Sequence, residues 1–286
     1  MSAIDLSRLP PPEVIEELSY EAILAEWKAD LIGKDPALEA VLEVESEPLT
    51  KMVQVGAYRE YLMRQRANDK VRDLLLAFAQ GPDLDHIGVT RFGVERLMLE
   101  QGPPPVYESD EAYLRRLLIA PDRFTTAGSE DSYVFHALTA SGDVKDVKAL
   151  NGGAGRVRVP VLSREGTGEA SAALVATVDG ALQPQKVRPL NDLVQVFSAT
   201  VKTYQVAATL TVRPGPDTEV VRMAAEKAAQ EYADSRHSLG VDMIRDAMQA
   251  ALYVEGVEHV DMTEPVADVL CGDTEAPFCV SVEVNA

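Results

Sequence analysis

The chain has 286 residues, 46% of them hydrophobic and 26% charged, enough to bury a core in one large domain or two to three small ones. Its formal net charge is -19. That excess of carboxylates argues against broad contact with nucleic acid or an anionic membrane surface, where binding would meet repulsion instead of releasing counterions.

No window approaches 18 apolar residues, so no membrane-spanning helix is expected. The opening MSAIDLSRLPPPEV has no basic stretch followed by an apolar run, so no signal peptide is expected. Pro11 and Pro12 precede EVIEEL and predict a first helix, since proline suits a first turn. Ser19 is placed to cap a second helix, in which Ile23, Trp27 and Leu31 form one apolar stripe. Gly33 closes it, and Asp35-Pro36 restarts a helix that Pro48 breaks or kinks.

From Pro48 to about Gln80 runs the longest periodic segment. Leu49, Val53, Gly56, Met63, Ala67, Val71, Leu74 and Phe78 recur mostly three or four apart, passing over Glu60, while Glu60 and Arg64 form an i,i+4 pair. About 30 helical residues span roughly 45–50 Å. Such a helix either lies in a bundle within the chain or projects and needs a partner for its stripe. Gly81 and Pro82 are expected to stop it. Next come Asp83, Asp85 and His86, residue types of metal and acid–base sites. Leu84 and Ile87 are expected to point inward, which leaves the three polar residues as turn chemistry.

GPPPVY at 102–107 reads as a stiff extended linker. Ser109 opens a helix through about Ile119, with Leu114, Leu117 and Leu118 as its core face, and Pro121 stops it. Thereafter the pattern is mixed. Helices are predicted over 130–140, 169–182, 218–235 and 241–253, the third with Val221, Ala225, Ala228 and Tyr232 inward. Strands are predicted over 144–150, 156–162 and 194–212, the last with a break near 198–202. Pro160 suggests an edge strand or a bulge. Residues 141–150 and 254–263 share a helix–glycine–strand shape. After Arg245 no Lys or Arg follows, against nine Asp or Glu. That tail is either a solvated acidic surface or a face for a basic partner.

Residues that could carry chemistry are few. The glycine-rich runs 151–155 and 164–168 lack the lysine and Ser/Thr of a phosphate-binding loop and are read as tight connections. His86, His136, His237 and His259 sit in no nucleophile motif, and His136 is expected to be a satisfied core residue. Cys271 and Cys279 are read as small buried apolar residues, with no metal signature. No carboxylate pair is marked by spacing for glycoside hydrolysis.

Several segments, in order, resemble the baseplate J-like proteins of contractile phage tails and R-type tailocins such as pyocins. They are IDLSRLPPPEVIEELSYEAIL at 4–24, LEVESEPLTKMVQVGAYREYLMRQRAND at 42–69, AQGPDLDHIG at 79–88, ESDEAYLRR at 108–116, TAGSEDSYVFHA at 126–137, VLSREGTGEAS at 161–171 and VRPLNDLVQV at 187–196. In that family an arginine is expected close behind the helix-opening tyrosine; here Tyr113 is followed by Leu114, then Arg115 and Arg116.

The resemblance implies a structural baseplate wedge subunit around a central hub and spike, helping trigger sheath contraction. Its implied partners are a second copy of itself and one copy of a second wedge protein, a small lysozyme-like wedge protein and neighbouring wedges. It implies no enzyme activity and no cofactor, and a place in the particle's baseplate after assembly in the bacterial cytoplasm. The rival reading is a tail-associated cell-wall hydrolase. The fold expected is α+β: a helical region over 1–120 with long bundle-forming helices, then small α/β domains over 121–200 and 201–286. The expected interface residues are Leu49, Val53, Tyr58, Tyr61, Met63, Val71 and Phe78.

Overall fold

A computed structural model describes residues 12 and 14–286, apart from 126, 127 and 216. The chain is α+β and divides into two compact units, up to Glu95 and from Arg96 onward. In the first unit Ser19 caps α1 (Tyr20–Lys34) by accepting from the Ala22 amide at 3.3 Å. Asp35 then accepts from Ala37 N at 3.0 Å and leads through a 3₁₀ turn into α2 (Glu39–Leu42). Pro48 opens α3 (Pro48–Asp73), where its missing N–H costs nothing.

Two readings of the sequence are corrected in this unit. Residues 14–19 form a turn and extended chain instead of a helix, while Pro11 and Glu13 lie outside the described residues. The buried amide of Asn68 accepts from Glu16 N at 3.1 Å and donates to Glu16 O at 2.8 Å. Those bonds satisfy the strand-like backbone that a helix would otherwise have claimed. The long helix also stops at Asp73, not Gln80. Its 26 residues span about 39 Å. The apolar run after it folds into tight turns that bury Ala79, and Gly81, at φ +51°, starts α4 (Gly81–Ile87) instead of ending α3. Leu84 and Ile87 are buried, as expected.

α1 and α3 pack through Gly56. A β-carbon there would lie 2.6 and 2.7 Å from two ring atoms of Trp27. The indole is held in place, donating to Glu60 Oε2 at 2.6 Å, and Glu60 also pairs with Arg64 at 2.6 Å. Gly56→Leu is therefore expected to lower stability by about 1–3 kcal/mol through overpacking. Trp27 is the sole tryptophan, so its fluorescence reports the displacement alongside the denaturation midpoint.

The second unit opens with a hairpin of β1 (Met98–Glu100) and β2 (Val106–Tyr107). GPPPVY is thus not a free linker: its last two residues pair with β1. Ser109 caps α5 (Asp110–Ile119), and α6 (Glu130–Ala140) follows. The first sheet contains β3 (Val144–Val147), β4 (Leu150–Asn151), β5 (Arg156–Ser163) and β6 (Leu193–Ser198), with α7 (Ala172–Leu182) crossing from β5 to β6. β5 is central: β3 and β4 pair antiparallel along one side, and β6 runs parallel on the other. Pro160 therefore sits neither at an edge nor at a bulge of its own strand. Arg156 O faces Gly152 on the β4 side and Val161 O faces Ala199 on the β6 side. Strand alternation then turns the Pro160 nitrogen toward residues 148 and 149, the break between β3 and β4, where no donor is required.

Only Ala199 separates β6 from β7 (Thr200–Val212), which enters a second sheet of order β8-β7-β9. The other members are β8 (Val257–Glu264), antiparallel to β7, and β9 (Glu275–Asn285), parallel to it. α8 (Thr218–Arg236) and α9 (Arg245–Leu252) cover one face. α8 buries Val221, Ala225, Ala229 and Ala233, an i,i+4 row one residue off the expected Ala228 and Tyr232; Tyr232 is only partly buried. α9 begins at Arg245, not 241, because Met243 is drawn into a bridge with Val269. The outer edge of β8 is occupied by side chains of α9 and the residue after it. Gln249 donates to Val260 O, Arg245 donates to Met262 O and Pro265 O, and Tyr253 accepts from Val260 N.

Candidate assembly surfaces

The ESDEAYLRR motif organises the start of the second unit. Glu108 and Arg116 form a buried ion pair, 3% and 2% exposed, with Arg116 Nε 3.1 and 3.2 Å from the two carboxylate oxygens. Glu108 also accepts from Leu97 N at 2.9 Å, tying α5 to the hairpin. Arg96 pairs with Asp110 at 2.6 Å and lies 4.8 Å from the Tyr113 ring centroid, while Arg116 lies 5.5 Å from it. Tyr113 thus lies between two arginines, Arg96 and Arg116. Arg115 turns the other way and binds Asp146 on β3 at 2.7 Å.

Asp146 is a bracket between the two sheets. It is buried, and its other oxygen accepts from Leu239 N at 2.9 Å, in the loop after α8. Leu162, Ala199, Leu239 and Ala276 form a small shared core beside it, and Lys148 reaches Asp273 at 2.8 Å. These contacts hold the two sheets of the unit together.

The expected interface residues, six on α3 and Phe78 in the turns after it, are not on one face. Val53 is buried; Leu49, Tyr61 and Val71 are partly buried; Tyr58, Met63 and Phe78 are exposed. Tyr58 stacks on Tyr61 at 6.5 Å and meets Tyr20 edge-on at 6.2 Å, so both tyrosines contribute to packing within the unit. α3 carries a second apolar stripe. Met52 (72% exposed), Val55 (61%), Leu62 (39%) and Met63 (66%) point away from α1 with Arg59 and Arg66 between them. Its sequence signal is three-and-four spacing over 52, 55, 59, 62, 63 and 66, masked by the more apolar stripe through Val53 beside it.

The acidic C-terminal part is only partly paired. Asp273 and Glu275 bind Lys148 and Lys202, and Asp268 accepts from the Arg245 amide at the start of α9. Asp246, Glu255, Glu258, Asp261 and Glu283 are exposed. Asp261 and Asn285 flank Thr209 in register on the sheet face.

The remaining candidates sit apart. Asp83 lies in the first turn of α4 and His86 is exposed in its last. The loop at 151–155 is the β4–β5 turn, where Gly152 N donates to Arg156 O, and the loop at 164–168 folds back through Ser163 N to Gly168 O at 2.7 Å. Cys271 and Cys279 are free thiols, partly buried. Among the described residues no three His, Cys, Asp or Glu side chains are arranged to hold a metal ion.

His136 bonds the backbone of Arg123, but its Nε2 is buried with no hydrogen-bond partner, so only part of the ring is satisfied as expected. His237 Nδ1 meets Pro277 O at 2.7 Å; a carbonyl only accepts, so that nitrogen carries the proton. Burial pushes the pKa of both histidines below the ordinary 6.5. Each is held neutral when folded, whereas the unfolded chain takes up protons as pH falls past about 6.5. Stability is therefore full above that pH and declines as pH falls toward the folded-state values. The urea midpoint is expected to drop between about pH 7.5 and pH 5.5. His136→Gln/His237→Gln is expected to flatten the drop whatever its effect on absolute stability.

Compared with known proteins, residues 45–102 match the Baseplate J-like N-terminal domain, 125–198 the Baseplate J-like central domain and 204–285 the Baseplate J-like protein C-terminal domain. Baseplate protein J of Escherichia phage P2 is 42% identical, over 99% of this chain and 98% of its own length.

Proposed function

The chain belongs to the baseplate J-like family, and from that premise we propose that it is a structural subunit of the baseplate wedge in a contractile phage tail or a phage-tail-like bacteriocin. The observation that carries the reading is the end-to-end match to a phage baseplate protein, with all three family domains in order. Two copies join one copy of a second wedge protein, and these wedges, with a small lysozyme-like wedge protein, close around the central hub and spike. The chain works mechanically and not as an enzyme. The ring holds the sheath extended; engagement of fibres at the target surface shifts contacts between wedges, opens the ring and releases contraction.

A switch of this type needs stiff parts and interfaces that rearrange. α3 supplies one stiff part, and the paired sheets bracketed by Asp146 supply another. The test is a particle preparation from producing cells. Imaging is expected to find the chain in the baseplate, and loss of its gene is expected to leave no sheathed particles. Intact contractile particles lacking the chain would refute the reading. Met63→Asp, at an exposed position, is expected to keep the fold's denaturation midpoint yet lower co-purification with the second wedge protein at least about tenfold, since burying an unpaired carboxylate is costly.

A further inference from the structure

The outward stripe of α3 combines exposed apolar and cationic side chains. Met52, Val55, Leu62 and Met63 line it, Arg59 and Arg66 stand between them two turns apart, and a hollow of about 440 Å³ opens beside Leu62 and Met63. α3 carries six cations against three carboxylates, in a chain whose net charge is -19. All three carboxylates are matched by cations of the same helix: Glu60 with Arg64, Asp69 with Arg72, and Asp73 with Lys70. That leaves Lys51, Arg59 and Arg66, which among the described residues have no ion-pair partner, and two of the three stand on the apolar stripe itself.

We infer that this stripe receives an acidic amphipathic helix from a different polypeptide, and not the same stripe of a second copy. The inference rests on the baseplate reading for its setting and deepens it by naming the partner's chemistry. Apolar groups at three-and-four spacing are the anchors by which one helix seats in the groove of another. A two-fold contact centred on the stripe, near Leu62 and Met63, would set Arg59 of one copy against Arg66 of the other, since residue i then meets residue j and j meets i. Like charges at the centre of an interface select against that pairing. A partner helix with carboxylates flanking its apolar row meets both arginines, and arginine binds carboxylate with two parallel hydrogen bonds.

The test places the photo-crosslinking residue p-benzoylphenylalanine at Met63 in particles assembled in producing cells. The expected cross-link maps to a helix of another baseplate protein whose sequence carries more Asp and Glu than Lys and Arg. A cross-link to α3 of a second copy, or to a segment without an acidic excess, overturns the inference, as does no cross-link above an unsubstituted control. Independently, Arg59→Glu/Arg66→Glu is expected to cut incorporation into particles at least about tenfold. Arg59→Lys/Arg66→Lys should retain most of it. Both arginines are exposed, so a melting curve shows whether each variant is folded. Wild-type incorporation of a folded double-Glu variant also overturns the inference. Absence of the wild-type chain from particles would instead overturn the baseplate reading, so the two failures are distinct.

Discussion

Glu108→Ala lowers the stability of the second unit by about 3–5 kcal/mol, the range for stranding one member of a buried ion pair. The loss is large because Arg116 then remains buried beside Tyr113 with its carboxylate gone, and the Leu97 amide loses its acceptor. Arg116→Met is expected to cost a similar amount. The double variant Glu108→Leu/Arg116→Met is expected to lose much less than the sum, because it removes both charges and leaves apolar volume behind. Urea denaturation of the four proteins measures this. A double variant as unstable as the two single variants added together would show that the pair acts through its shape and not its charge.

Asp146→Ala ranks second. Three donors converge on this carboxylate: Val147 N at 2.9 Å, Leu239 N at 2.9 Å and Arg115 at 2.7 Å. Alanine leaves the buried amides unpaired, at about 1–3 kcal/mol for each such group. Arg115 is nearly half exposed, so its part of the loss is small. The cost is expected to fall on the junction between the sheets, so the Leu239 loop should gain amide exchange before the strand interiors do. Asp146→Asn is expected to recover part of the loss, since an amide oxygen still accepts one donor. Uniform exchange across both sheets would rule out the bracket role.

Much of the fold was legible from short-range chemistry. Ser19, Ser109, Asp35-Pro36 and Pro48 mark starts, and the structure places helices at each because capping is a local property. The break expected near 198–202 is the single residue Ala199. What could not be read was set by distant partners. Glu16 is extended because Asn68, 52 positions later, holds both of its backbone groups. Pro160 fits a central strand because the neighbouring strand is interrupted opposite it. Met243 is excluded from α9 by a bridge to Val269. The α3 surfaces were half legible: periodicity located apolar rows, but which row faces α1 depends on Trp27 seating against Gly56.

Arg245 is the last cation in the chain, and its guanidinium is committed to the carbonyls of Met262 and Pro265. Together with Gln249 and Tyr253 it closes the margin of β8 to strand addition. This margin gives a second copy no ladder on which to zip up. Growth into open-ended fibres by strand pairing is blocked along this margin.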